Sequence, residues 1–132
     1  MIGLVIATHA NLGSEILLAT EMIIGTLSQA RAVGIRKEDS VEEIRAAVAG
    51  AIEAVSAGHG VIVMTDMFGG TPSNISLAFL ESGRVEVLTG VNLPMALKFF
   101  NSQEGLSLAE LALLLQSYGQ QGITLPSQFL NR

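Results

Sequence analysis

The sequence predicts an α/β fold, a single three-layer domain in which a mainly parallel sheet carries helices on both faces. Three observations lead there. Short apolar runs alternate four times with helix-length segments, and the loops between them are short. The runs at residues 2–7 (IGLVIA) and 61–65 (VIVMT) are nearly unbroken apolar stretches, as strands buried on both faces require. The length, 132 residues, suits one domain with one core, and no repeat, low-complexity stretch or linker divides it.

Each element has its own signal. The first strand, residues 2–7, breaks at Thr8-His9-Ala10-Asn11. Residues 14–24 are apolar and followed by Gly25, which reads as a helix with Glu15 and Glu21 placed toward its N-terminus, where the helix dipole favours them. Residues 30–35 form a weaker second strand, and Arg36-Lys37-Glu38-Asp39 a charged turn. Ser40 and Glu43 have the spacing of a capping box. Behind them Val41, Ile44, Val48, Ile52 and Val55 recur at three- and four-residue steps, which predicts an amphipathic helix.

Residues 56–60 turn the chain into the third strand, which runs into Asp66-Met67-Phe68-Gly69-Gly70-Thr71-Pro72. Thr71 is placed to cap a helix whose first position is Pro72, a residue suited there because that N–H has no helical partner. The helix is expected to continue through Leu77 and Leu80. Residues 84–88 alternate as a fourth strand. The loop Thr89-Gly90-Val91-Asn92-Leu93-Pro94 leads to a helix near residues 95–100, and residues 106–118 are leucine-rich and helical. Residues 122–125 are the candidate for a short C-terminal antiparallel edge strand.

Composition narrows the function. Seven basic residues stand against twelve acidic ones, for a net charge of −5, and the basic residues are scattered. A nucleic-acid binder needs clustered Lys and Arg, so none is expected. With no cysteine, disulfides and thiolate metal sites are excluded, and no metal or cofactor is expected. The first ten residues lack the basic start of a signal peptide. No apolar run approaches the ~20 residues that span a bilayer. A cytoplasmic chain is the expectation.

In a doubly wound sheet, function collects where strands end. The first strand ends at His9. The third ends at Asp66, followed by Gly69, Gly70 and Thr71, and the fourth at Thr89 and Gly90, followed by Asn92. These loops lie on one edge. If strands one and three are neighbours, His9 faces Asp66. A carboxylate on one imidazole nitrogen fixes the tautomer and frees the other nitrogen as a nucleophile. The Gly69-Gly70 turn and the helix N-terminus beyond it offer N–H groups to an anion. Nucleophile and anion cradle together suit phosphoryl transfer without a metal.

Each of these residues also has a plainer use. A lone His is more often a polar loop residue, Asp66 could bond amides in its own turn, and the Gly-Gly-Thr-Pro run could be turn-and-cap punctuation. Against that, the chain has only two aspartates, and one of them sits here. His59 lies in the turn before the third strand, on the opposite edge, and reads as solvated. Asp39, before a helix cap, reads as local. Met64, Met67 and Met95 read as packing residues rather than ligands.

The motifs resemble one family. Ala7-Thr8-His9, then Asp66-Met67-Phe68-Gly69-Gly70-Thr71-Pro72-Ser73-Asn74, then Gly90-Val91-Asn92-Leu93-Pro94-Met95 are similar to the mannose-type enzyme IIA domain of the bacterial sugar phosphotransferase system. The likeness runs over essentially the whole chain in order and spacing, so residues 1–132 are expected to be one such domain. It implies a flavodoxin-like sheet of order 2-1-3-4 and a cytoplasmic phosphocarrier. His9 would accept a phosphoryl group from phospho-HPr and pass it to a IIB domain on a separate chain. Asp66 would orient the imidazole for attack through Nε2. Thr8, Gly69, Gly70, Thr71, Ser73 and Asn92 would shape the phosphate pocket. The resemblance also implies a homodimer that exchanges a C-terminal edge strand, with residues 122–125 the candidate, and contact with the membrane only through IIC and IID components. Ala7 and Ala10 stand where the family commonly has glycine, small changes that stiffen the loop. The segment with Pro126 and Phe129 does not match the family pattern.

Other readings are weaker. A stand-alone regulatory IIA domain would carry the same chemistry at His9 and signal to a protein partner without a transporter. The phosphoryl donor of dihydroxyacetone kinase contains a related domain, but the Phe68 to Pro72 run fits the mannose type better. A response-regulator receiver needs an acidic pair after the first strand, where this chain has Thr8-His9. A nucleotide or flavin module would need a glycine-rich loop there, and only Gly13 is present.

Overall fold

The computed structural model describes residues 1–131. Its elements alternate as β1 (Gly3–His9), α1 (Leu12–Ile24), β2 (Ala30–Ile35), α2 (Val41–Val55), β3 (Val61–Thr65), α3 (Thr71–Leu77), β4 (Val85–Thr89), α4 (Leu93–Asn101) and α5 (Leu108–Gln121), followed by a 3-10 turn at Pro126–Gln128. The sheet order is β2-β1-β3-β4 and every pairing of these strands is parallel.

The two-residue period of a strand divides the core between the two faces of the sheet. Leu4, Ile6, Ile62 and Met64 point to one side, under α1, α4 and α5, together with Met95, Phe99, Leu111 and Leu115. Val5, Ala7, Val61 and Val63 point to the other, against Ile44, Val48, Val55 and Ile75 of α2 and α3. Full burial of a side chain such as Phe99 or Leu111 stabilises by about 1.5–3 kcal/mol. That packing, rather than local propensity, holds α3, which at seven residues is too short to persist alone.

Helix starts match the sequence where side chains decide them. Ser40 Oγ accepts from the Glu43 amide at 3.1 Å and the Ser40 amide donates to Glu43 Oε1 at 3.0 Å, the expected capping box. A second box, Ser107 with Glu110, starts α5. In α1 Glu15 lies in the first turn as expected, whereas Glu21 sits near the other end, where the dipole does not favour it. The start of α3 also differs. Gly70, at φ +82°, holds the cap position, and Thr71 is already helical with no side-chain cap bond. Consecutive left-handed glycines, Gly69 and Gly70, swing the chain into the helix where an L side chain would be strained. α3 ends at Leu77, and residues 78–80 continue in tighter three-residue bonds.

The expected C-terminal edge strand is not formed within this chain. Among the described residues, 122–125 pair with no strand, and the chain enters the 3-10 turn at Pro126. Gly122 closes α5 in a helical conformation, leaving Ile123 and Leu125 exposed beyond it. Among the described residues, no helix is long and apolar enough to cross a membrane.

Candidate functional site

Parallel pairing brings the loops after all four strands to one edge. In register, Ala7 pairs with Thr65, Thr65 with Thr89, and His9 with Ile35. His9 and Asp66 therefore follow neighbouring strands at the same height. Strand alternation turns Thr8 inward, fully buried, and leaves the His9 side chain 53% exposed beside an Asp66 side chain that is 12% exposed.

Asp66 holds His9 twice. Its Oδ2 lies 2.7 Å from His9 Nδ1 and accepts the His9 backbone N–H at 3.0 Å. Burial pushes the Asp66 carboxyl up, but the His9 amide bond, the ring bond and the imidazole charge together bring it below its ordinary value of 3.8. The group is thus a carboxylate near neutral pH, and it accepts. In the neutral imidazole this bond puts the proton on Nδ1 and leaves the lone pair on Nε2.

The glycine loop lies against that free nitrogen. A Cβ added at Gly70 would stand 3.3 Å from His9 Cε1 and 3.6 Å from Nε2, so only glycine keeps this face open. The loop is pinned from beneath. Ser73 Oγ donates to the Met67 carbonyl and shares a 2.6 Å bond with Thr65 Oγ1. Its tip exposes Met67 and Phe68, at 54% and 75%. Met67 is thus not a packing residue, unlike the buried Met64 and Met95.

The residues expected around a phosphate fall into two groups. His9 and Thr71 border one cleft of about 660 Å³, with Asp66 and Gly70 against the imidazole and Gly69 preceding it in the loop. Thr8, Ser73 and Asn92 are committed elsewhere. Thr8 Oγ1 accepts from the Gly13 amide at 2.8 Å, which ties α1 to β1. Asn92 caps α4 through the Met95 amide at 2.9 Å and donates to the Gly119 carbonyl of α5 at 2.9 Å. These three hold the frame on which the loops sit. Ala10, next to His9, has φ +50°, a conformation that costs a non-glycine residue about 1 kcal/mol.

Two cations also border the cleft. Arg36 and Lys37 line it beside His9. Their run is legible as a charged turn, and the pairing of β2 with β1 is what carries it to the edge that holds His9. Asp39 acts locally as expected, accepting the Arg36 amide at 2.8 Å. His59 is exposed on the opposite edge. Among the described residues, no three His, Cys, Asp or Glu side chains converge to hold a metal ion.

Comparison with known proteins agrees with this architecture. The family model for the PTS system fructose IIA component, EIIA-man, matches residues 3–115. A fructose-specific EIIA component of Bacillus subtilis (strain 168) is 29% identical over 133 aligned residues, covering 100% of this chain and 91% of the relative. The crystal structure of a phosphotransferase system EIIA component from Streptococcus agalactiae superposes with a TM-score of 0.87 at 26% identity, over 97% of this chain and 99% of its own. The mannose/sorbose-specific IIA subunit from Enterococcus faecalis does so at 0.83 and 28% identity, over 94% and 93%. The chain belongs to the EIIA-man family, the mannose-type IIA components of the sugar phosphotransferase system.

Proposed function

We propose that this chain is a cytoplasmic phosphocarrier that takes a phosphoryl group from phospho-HPr onto His9 and delivers it to a separate IIB protein. One observation carries the reading: His9 Nδ1 is bonded to Asp66 at 2.7 Å while Nε2 faces an open glycine loop. In the transfer, the Nε2 lone pair attacks phosphorus. The bond from phosphorus to the donor's imidazole nitrogen breaks, and its electron pair returns to that nitrogen. The His9 ring gains positive charge as it gives up its lone pair. The Asp66 carboxylate, already seated on Nδ1–H, stabilises that charge without moving. Backbone N–H groups of the Gly69–Gly70 turn supply dipoles to the phosphoryl oxygens. The second transfer, to IIB, runs the same step in reverse.

The named relatives are specific for fructose in one case and for mannose or sorbose in another, on one architecture. We therefore assign this chain no sugar preference of its own. The family reading also makes it a homodimer. The exposed apolar side chains Ile123, Leu125 and Phe129 at the C-terminal end favour such an assembly, and sedimentation equilibrium tests it.

The deciding experiment is the intact mass after incubation with phosphoenolpyruvate, enzyme I and HPr. One acid-labile phosphoryl group on the wild type and none on His9→Ala is the expected result. An unlabelled wild type beside fully phosphorylated HPr, repeated with HPr from the same organism, would overturn it.

A further inference from the structure

The cleft beside His9 has two chemically different walls. One is the start of α3 at Thr71, the residue that follows the glycine loop. The other is the turn after β2, and among the described residues Arg36 and Lys37 are the two cations that border the cleft. That turn is rigid. The Arg36 amide donates to Asp39 Oδ2 at 2.8 Å, and the Asp39 amide donates back to the Arg36 carbonyl at 3.1 Å. Arg36 Nη2 donates to Asn11 Oδ1 at 3.1 Å, which holds the guanidinium over the loop that follows His9. That bond uses one of five donors and leaves the others available. Lys37 forms no ion pair among the described residues.

These cations stand out against an unfavourable background. The chain carries a net charge of −5, and Asp66 adds a carboxylate on the far side of the imidazole ring. A phosphate dianion approaching His9 meets repulsion from both. Glu38 borders the same cleft and adds to it, whereas Asp39 spends an oxygen on its own turn. We propose that Arg36 and Lys37 form an oxyanion-binding lip of the His9 cleft that takes up the phosphate oxygens presented there. Guanidinium and ammonium donors bind such oxygens through charge-assisted hydrogen bonds, and a preset guanidinium loses little freedom in doing so. The purpose of the lip rests on the phosphocarrier reading, but its existence is testable without it.

The probe is inorganic phosphate, titrated into the ¹⁵N-labelled full chain. Saturable shifts at residues 9, 10, 36 and 37 are expected. The double variant Arg36→Gln/Lys37→Gln should bind roughly fivefold more weakly, as expected for exposed charges, while Lys98→Gln on α4 should bind as the wild type does. Equal affinity in all three proteins, or shifts confined to other loops, would overturn the proposal. A second arm uses potassium phosphoramidate, which phosphorylates imidazoles without a protein donor. A similar fall in labelling rate in the double variant supports the lip. A fall seen only with HPr as donor would make these residues a protein contact instead and overturn it. Phosphate binding with the expected variant response, but no labelling of the wild type by either donor, would sustain the lip and remove the phosphocarrier function.

Discussion

The two edges of the sheet contain much the same parts. The amino edge has His59, left-handed glycines at 58, 60 and 83, and the Glu81–Arg84 ion pair at 3.0 Å. The carboxyl edge has His9, left-handed glycines at 69, 70 and 90, and its own charged turn. The difference lies in what each histidine meets. His59 sits exposed in a turn with no hydrogen-bond partner among the described residues. His9 meets a mostly buried carboxylate delivered by the neighbouring strand. Residue type does not make a site. Convergence does, and parallel strands converge their loops at the carboxyl edge because every crossover returns the chain to the opposite end.

The largest expected effect separates the two histidines. His9→Ala should abolish acid-labile labelling by HPr, and His59→Ala should leave it at the wild-type level, read by intact mass. Equal loss in both would erase the distinction between the edges. Next in size is Asp66→Ala, expected to slow labelling by about 10²-fold with an unchanged circular dichroism spectrum, since it removes the charge that supports the imidazolium.

Gly70→Ala and Gly58→Ala form a matched pair, with φ values of +82° and +86°. Both should lose stability, by roughly 1–2 kcal/mol, in urea titrations. Only Gly70→Ala should also slow labelling, by about tenfold, because its methyl group would stand against the His9 ring. A matching kinetic defect in Gly58→Ala would show that the loss comes from stability alone.

The acid response gives a smaller effect of definite sign. The Asp66 carboxyl titrates lower in the folded chain than its ordinary value of 3.8. The stability it contributes is complete above that value and is lost as the pH falls through the lowered one. Denaturant melts of wild type and Asp66→Asn should therefore converge as the pH drops below the ordinary carboxylate range. A constant difference would remove the link. Smallest in kinetic effect is Ser107→Ala at the amino edge, which should cost about 1 kcal/mol of stability through its lost cap and leave labelling unchanged.

Much of this chain is legible in its sequence. The buried strands announced themselves as apolar runs, because a strand covered on both faces has no polar side to show. The helix α2 did so through its three- and four-residue steps and its capping box, both local signals. Strand alternation makes His9 face Asp66 only if β1 and β3 are neighbours, and the sheet order meets that condition. At the start of α3 Thr71 has the residue type of a cap, whereas the left-handed glycines before it set the geometry. Position alone places Thr8, Ser73 and Asn92 near the pocket, and the folded chain shows the bonds their side chains make to the frame.

What the sequence determined by itself was the order of elements, the two faces of the core and the loops from which a site could be built. Those follow from residue periodicity and chain connectivity, which are properties of the linear chain. What only the tertiary structure decided was which side chains meet. The register of β1 on β3 sets the 2.7 Å contact, Gly70 stands against Nε2 only in the folded loop, and the Arg36–Lys37 turn reaches the cleft only because β2 lies beside β1. Contacts between residues dozens of positions apart depend on where strands stop relative to their neighbours. That is set by packing across the whole sheet, where each strand's buried pattern fixes its register only against the neighbour it finally meets.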